Sequence, residues 1–102
     1  PHAEAVLSTD PEDVSANFAL GMYHYVMQNF ARAEGYLAEA HRGKPTDAAI
    51  LNNLALVEMY LEKYASAEAH ARAAKALKPD IKEIDATLRE IAERKGRGSG
   101  RK

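Results

Sequence analysis

The chain has no cysteine, and no apolar run in it approaches the roughly 18 to 20 residues needed to cross a bilayer. The first absence excludes disulfide frameworks, thiolate metal sites and cysteine nucleophiles. The second excludes membrane insertion by a helix of this sequence. The N-terminus also lacks the basic-then-apolar layout of a signal peptide. Because the chain begins at Pro1, with no initiator Met, an upstream part is expected to have been removed, one that could have carried an export signal or anchor. The compartment therefore stays open between cytoplasm and periplasm.

Basic charge is scarce over most of the length. The formal net charge is -1, but Arg94, Lys95, Arg97, Arg101 and Lys102 hold five of the 14 basic residues, leaving 15 acids against nine bases in the preceding 93 positions. An acidic body does not offer the broad basic face that nucleic acid requires, so no nucleic-acid partner is expected. Gly96, Gly98, Ser99 and Gly100 interleave the basic end, which reads as a flexible tail.

What the sequence does contain is a period. Pro11, Pro45 and Pro79 are each 34 residues apart, and the same shift carries Leu20 onto Leu54, Phe30 onto Tyr64, Ala33 onto Ala67 and Ala40 onto Ala74. Each unit reads as two helices, Val14 to Met27 then Ala31 to Arg42, and Ala48 to Leu61 then Ala65 to Leu77. Gln28-Asn29-Phe30 and Glu62-Lys63-Tyr64 form short turns between antiparallel neighbours. Gly43 reads as a helix stop. Asp10 to Asp13 and Pro45 to Asp47 place prolines and capping carboxylates where free amide donors open the next helix. Ile81, Ile84, Leu88 and Ile91 then define one apolar face of a further helix, which begins after Asp80 and closes the stack with a polar outer surface.

Period, hairpins and residue types together resemble the tetratricopeptide-repeat family. The first unit matches its loose pattern with Leu20-Gly21, Tyr23 or Tyr25 near the aromatic slot, Ala33, Leu37, Ala40 and Pro45; it departs at Asn17 and His24. The second unit offers Leu51, Leu54-Ala55, Ala67, Ala74 and Pro79, and departs at Glu58 and Ala71. The resemblance implies an all-α, right-handed α-solenoid of antiparallel helix hairpins. Its expected divisions are residues 1–10 as the tail of a preceding repeat's second helix, 11–44 and 45–79 as two repeats, 80–95 as a capping helix and 96–102 as the flexible basic tail. The small residues explain the close helix pairs: alanines spaced by seven let two rods nest, and Gly21 and Ala55 make room opposite.

The two kinds of helix differ in polarity. The second helices carry Arg32, Glu34, Glu39 and Arg42, then Glu68, His70, Arg72 and Lys75, on a face that can meet water. The first helices are apolar nearly all round, more than one alanine-lined contact can bury. In the family such helices line a concave groove for peptides or helices, and the resemblance assigns that role to Ser15, Phe18, Met22 and Tyr25 and to Asn52, Asn53, Leu56 and Met59. Two alternatives stay open: these residues pack only against neighbouring repeats or a second copy, giving a homodimer, or the unit is an accessory domain of a larger secretion or assembly protein. One subtype grips the C-terminal carboxylate of chaperone tails with Lys, Asn and Arg. Here its positions hold Phe18, Met22, Asn53, Glu83 and Thr87, and only Asn53 fits.

Catalytic and cofactor patterns do not emerge. His2, His24, His41 and His70 form no metal pair at helical spacing, and no glycine-rich phosphate loop precedes a helix. Glu58 and Glu62, one turn apart, read as a solvated face. The expectation is a non-enzymatic module with no cofactor and with a protein or peptide as partner.

Overall fold

The computed structural model describes residues 2–10 and 12–100, with the side chains at 2, 8 and 98–100 outside that description; Pro11 and the basic Arg101 and Lys102 lie outside it altogether. Among the described residues six helices follow one another: α1 (His2–Thr9), α2 (Val14–Val26), α3 (Phe30–Gly43), α4 (Ala48–Tyr60), α5 (Tyr64–Leu77) and α6 (Lys82–Gly100). There is no strand among the described residues. The fold is an all-α, right-handed solenoid of antiparallel hairpins, with α2–α3 and α4–α5 as hairpins and α6 closing on α5 and α4.

The 34-residue register is kept to the residue. The second hairpin starts and ends each helix one period after the first, α6 begins one period after α4, and α1 ends one period before α3. Local chemistry repeats with it. Asp13 and Asp47, one period apart, accept from Ala16 N at 2.8 Å and Ile50 N at 3.0 Å, so each opens its inner helix with a side-chain cap.

The opposite ends also match. Gln28 and Glu62 sit at φ 63° and 62° in the left-handed region. Around them Gln28 N donates to Tyr25 O and Asn29 N to His24 O, and the same pair of bonds recurs one period on, which is the Schellman arrangement that satisfies the last helical carbonyls.

Burial follows the small residues. Ala33, Ala40, Ala55, Ala67, Ala71 and Ala74 are all fully buried. Their methyl-sized side chains set the helices close enough for Leu37, Val57, Met59, Ile84 and Ile91 to fill the remaining space. Gly21 belongs to this seam. A β-carbon there would lie 2.7 Å from Leu37 Cγ and 3.3 Å from Leu37 N.

No glycine has positive φ among the described residues, and Gly43 is the last residue of α3, where the sequence places the stop. Its role is space, because a β-carbon would stand 2.5 Å from Val14 Cγ2. The segment expected to be a flexible tail from Gly96 is helical as far as Gly100. No proline follows Lys95 to remove a donor, and extending an existing helix adds one hydrogen bond per residue without a new nucleation, which offsets the cost of about 1 kcal/mol for each glycine.

Candidate protein-interaction face

α2 meets α4 through Tyr25 and Tyr60 and α4 packs on α6, which makes these three the inner layer, while α3 meets α5 through His41 and His70 on the other side. Along the inner layer Phe18, Met22 and Tyr25 of α2 are half-buried, leaning on the buried Ala33, Leu37, Leu54 and Val57. Leu56 and Tyr60 of α4 are likewise half-buried, resting on Ala55, Met59 and Ile91. Each of these side chains thus spends one side on the core and keeps the other accessible.

Aromatic contacts tie the two hairpins together. The Phe30 ring stacks on Tyr60 at 4.7 Å, and Tyr25 meets Phe30 at 6.0 Å and Tyr60 at 6.1 Å. Arg94 of α6 lies 4.9 Å over the Tyr60 ring and its Nε donates to Glu90 at 3.1 Å. Burial, the neighbouring Tyr60 hydroxyl and then Glu90 push the Tyr25 phenol above its usual pKa. Tyr25 is therefore a neutral, half-desolvated ring on this face.

The other site residues read from the sequence divide. Ser15 is exposed and, with Phe18, lines a hollow of about 190 Å³ between the starts of α2 and α4. Asn52 and Asn53 are half-buried; the Asn52 carbonyl oxygen is enclosed and lacks a hydrogen-bond partner among the described residues. Met59 does not belong to the face. It is fully buried among Ala55, Ala67, Ala71 and Ile91, because α6 covers α4 at the turn where Tyr25 stands in the first hairpin. Thr87 is also buried, its hydroxyl donating to Glu83 O at 2.9 Å.

Roomier hollows lie elsewhere. One of about 480 Å³ is lined by Ala3, Leu20, Tyr23, His24, Arg32 and Tyr36, and one of about 600 Å³ by Leu7, Asn17, Arg32, Gly35 and Tyr36. Beside them Tyr23, Val26 and Met27 are 58%, 73% and 55% exposed. The cause is visible in the register: Ala3 stands one period before the fully buried Leu37, so a methyl occupies the place of an isobutyl group.

Sequence reasoning also missed a polar pair inside the second hairpin. Glu58, expected on a solvated face, is 5% exposed, and His70, expected to face water, approaches it with Nδ1 2.6 Å from Oε1. Burial raises the Glu58 pKa, while the His70 contact pulls the other way. In the first hairpin the same two positions hold His24 and Tyr36, whose rings stack at 5.5 Å and 4°. The signal was the pair itself: His24 and Tyr36 give way together to Glu58 and His70 one period later.

No family model matches this sequence, and no curated protein does. Solved structures do. The chain superposes on "First TPR of Spaghetti (RPAP3) bound to HSP90 peptide SRMEEVD" with a TM-score of 0.83 at 18% identity, covering 89% of this chain and 72% of that one. It superposes on MamA MSR-1 C2 with a TM-score of 0.82 at 17% identity and on MamA AMB-1 with 0.83 at 19%, covering 92% and 96% of this chain. In both cases it spans 54% of the MamA chain's length. At these identities the likeness establishes the tetratricopeptide-repeat fold.

Proposed function

We propose that this chain is a non-enzymatic protein-interaction module that seats an apolar helix or peptide of a partner across Phe18, Met22, Tyr25, Leu56 and Tyr60, with Ser15, Asn52 and Asn53 at the margins. The observation that carries the reading is the half-buried state of this stripe: aromatic and thioether side chains are held by the core on one side and left open on the other. Asn52 and Asn53 supply amides for the partner's backbone. An acidic C-terminal tail is not the expected ligand. Of the positions that a carboxylate clamp uses, Phe18, Met22, Glu83 and Thr87 supply no cation, and Thr87 is buried with its hydroxyl spent on Glu83 O.

A peptide library selected on the immobilised chain, followed by titration of the best synthetic peptide, tests this. Peptides with an apolar stripe should emerge, and Phe18→Asp with Leu56→Asp should weaken their binding at least tenfold. Selection without a consensus, or peptides indifferent to the double substitution, would remove the proposal.

A second reading has its own support in the exposed Tyr23, Val26 and Met27 beside the 480 Å³ hollow. On that reading copies of the chain associate through the α1–α2 end. Sedimentation velocity should then show a dimer that Val26→Asp with Met27→Asp dissociates, and a concentration-independent monomer would rule it out.

A further inference from the structure

We propose that His41, His70 and Glu58 form a proton-sensitive latch between the two hairpins, closed when His41 is neutral and loosened when it takes up a proton. The three side chains come from three helices: His41 from α3, Glu58 from α4 and His70 from α5. The contact between Glu58 Oε1 and His70 Nδ1, at 2.6 Å, requires one proton between two acceptors. A further proton on His70 turns that contact into a carboxylate–imidazolium pair, which the geometry accepts.

A proton on His41 has no such reception. Its ring meets His70 edge-on at 5.6 Å, so the two imidazoles would carry like charges close together. Its Nδ1 is enclosed and without a partner among the described residues. Among the described residues, the further charges acting on Glu58 are Glu34 and Lys63, and these are committed to each other. Glu34 of α3 pairs with Lys63, in the turn before α5, at 2.8 Å, and Glu58 pairs with His70.

Burial, then the neighbouring His70, holds His41 below the usual imidazole pKa. A depressed folded-state value means that the stabilisation is present in full above the ordinary value of 6.5 and is lost as pH falls through the lower folded value. Glu58, raised by burial, works in the opposite sense as it protonates, so the two imidazoles must be removed separately in any test.

The consequence reaches the inner face. α3 packs on α4 to join the hairpins, and the His41–His70 contact adds a second tie between α3 and α5, so loosening it bears on the separation of Met22 and Tyr25 from Leu56 and Tyr60. The latch itself does not depend on the groove having a partner.

Histidine ring resonances of the intact chain, followed by NMR from pH 8 to 5, test the idea together with thermal midpoints at pH 7.5 and 5.5. His41 should titrate below 6.5 in the native chain and move upward in His70→Gln, which keeps a neutral donor for Glu58. The native midpoint should fall by about 4 °C or more between the two pH values, and His41→Gln should remove at least half of that fall. A His41 midpoint at or above 6.5, or an equal fall in His41→Gln, would overturn the proposal. Should His41→Gln fail to fold, the native titration still decides.

Discussion

The Glu58 carboxylate and His70 Nδ1 lie 2.6 Å apart, joining α4 to α5 at a position where the first hairpin instead stacks His24 on Tyr36. Glu58 is nearly without solvent, so its second-best partner is not water but nothing. Truncating His70 to Leu should therefore cost about 1 to 3 kcal/mol at pH 7, the penalty of an unsatisfied buried acceptor.

The penalty has a sign in pH. Glu58 is already raised by burial, and losing His70 removes what pulls it down. A raised carboxylate contributes most below its unfolded value of 4.5 and loses that contribution as pH rises, so His70→Leu should recover relative to the native chain between pH 7 and 5. The double variant Glu58→Leu with His70→Leu should unfold in urea near the native midpoint, because an apolar pair replaces a buried polar one. A double variant as unstable as His70→Leu alone would show that the contact is not what stabilises the junction.

The fold was legible because its code is redundant. Alanine at four seam positions, prolines between hairpins and Asp13 and Asp47 at helix starts all repeat with one period, and every helix lies where that period puts it. The face was legible only in part. Phe18, Met22 and Tyr25 sit on the accessible side as their spacing implies, but Met59, one period after Tyr25, is covered by α6. Periodicity says which side of a helix a residue occupies; it does not say which later helix crosses over it. Glu58 reads with Glu62 as a solvated face and His70 as a water-facing residue, since a buried pair 12 positions apart on two helices leaves no local pattern.

Helix N-termini give a second measurement. Asp13 accepts from Ala16 N and Asp47 from Ile50 N, so Asp13→Ala and Asp47→Ala should each lose about 1 kcal/mol in urea unfolding, while the Asn variants keep most of it. Lys44 contributes little to the Asp47 effect, as that ion pair is 3.8 Å long and largely solvated. Asn variants as unstable as Ala would mean that charge, not the cap bond, is responsible.

The two left-handed residues give a third. Gln28 and Glu62 carry side chains at φ 63° and 62°, a conformation that costs an L-residue about 1 to 2 kcal/mol. Glycine removes that strain and adds unfolded-chain entropy, so Gln28→Gly and Glu62→Gly should each stabilise by about 0.5 to 1 kcal/mol. Thermal midpoints would rise in both, and a fall in either would show that its side chain makes a contact worth more than the strain.

Gly21 and Gly35 are both helical glycines, yet their alanine variants should move stability in opposite directions. Gly35 is exposed on α3 and a β-carbon there meets nothing within 4 Å. Only intrinsic propensity acts, so Gly35→Ala should stabilise by about 0.8 to 1 kcal/mol. At Gly21 the same propensity gain is opposed by contacts of 2.7 and 2.9 Å to Leu37 side-chain atoms and 3.3 Å to its backbone nitrogen. Leu37 is fully buried and cannot swing aside, so α2 and α3 must separate, an overpacking cost of about 1 to 3 kcal/mol. The net change for Gly21→Ala is then a loss of up to about 2 kcal/mol in urea unfolding, after the propensity gain is subtracted. A compensating Leu37→Ala in the same chain should recover none of it, because the cavity left behind costs about 2 to 5 kcal/mol. Gly21→Ala as stable as Gly35→Ala would mean that the α2–α3 seam is looser than these distances require, and the close nesting of the hairpin would lose its main support.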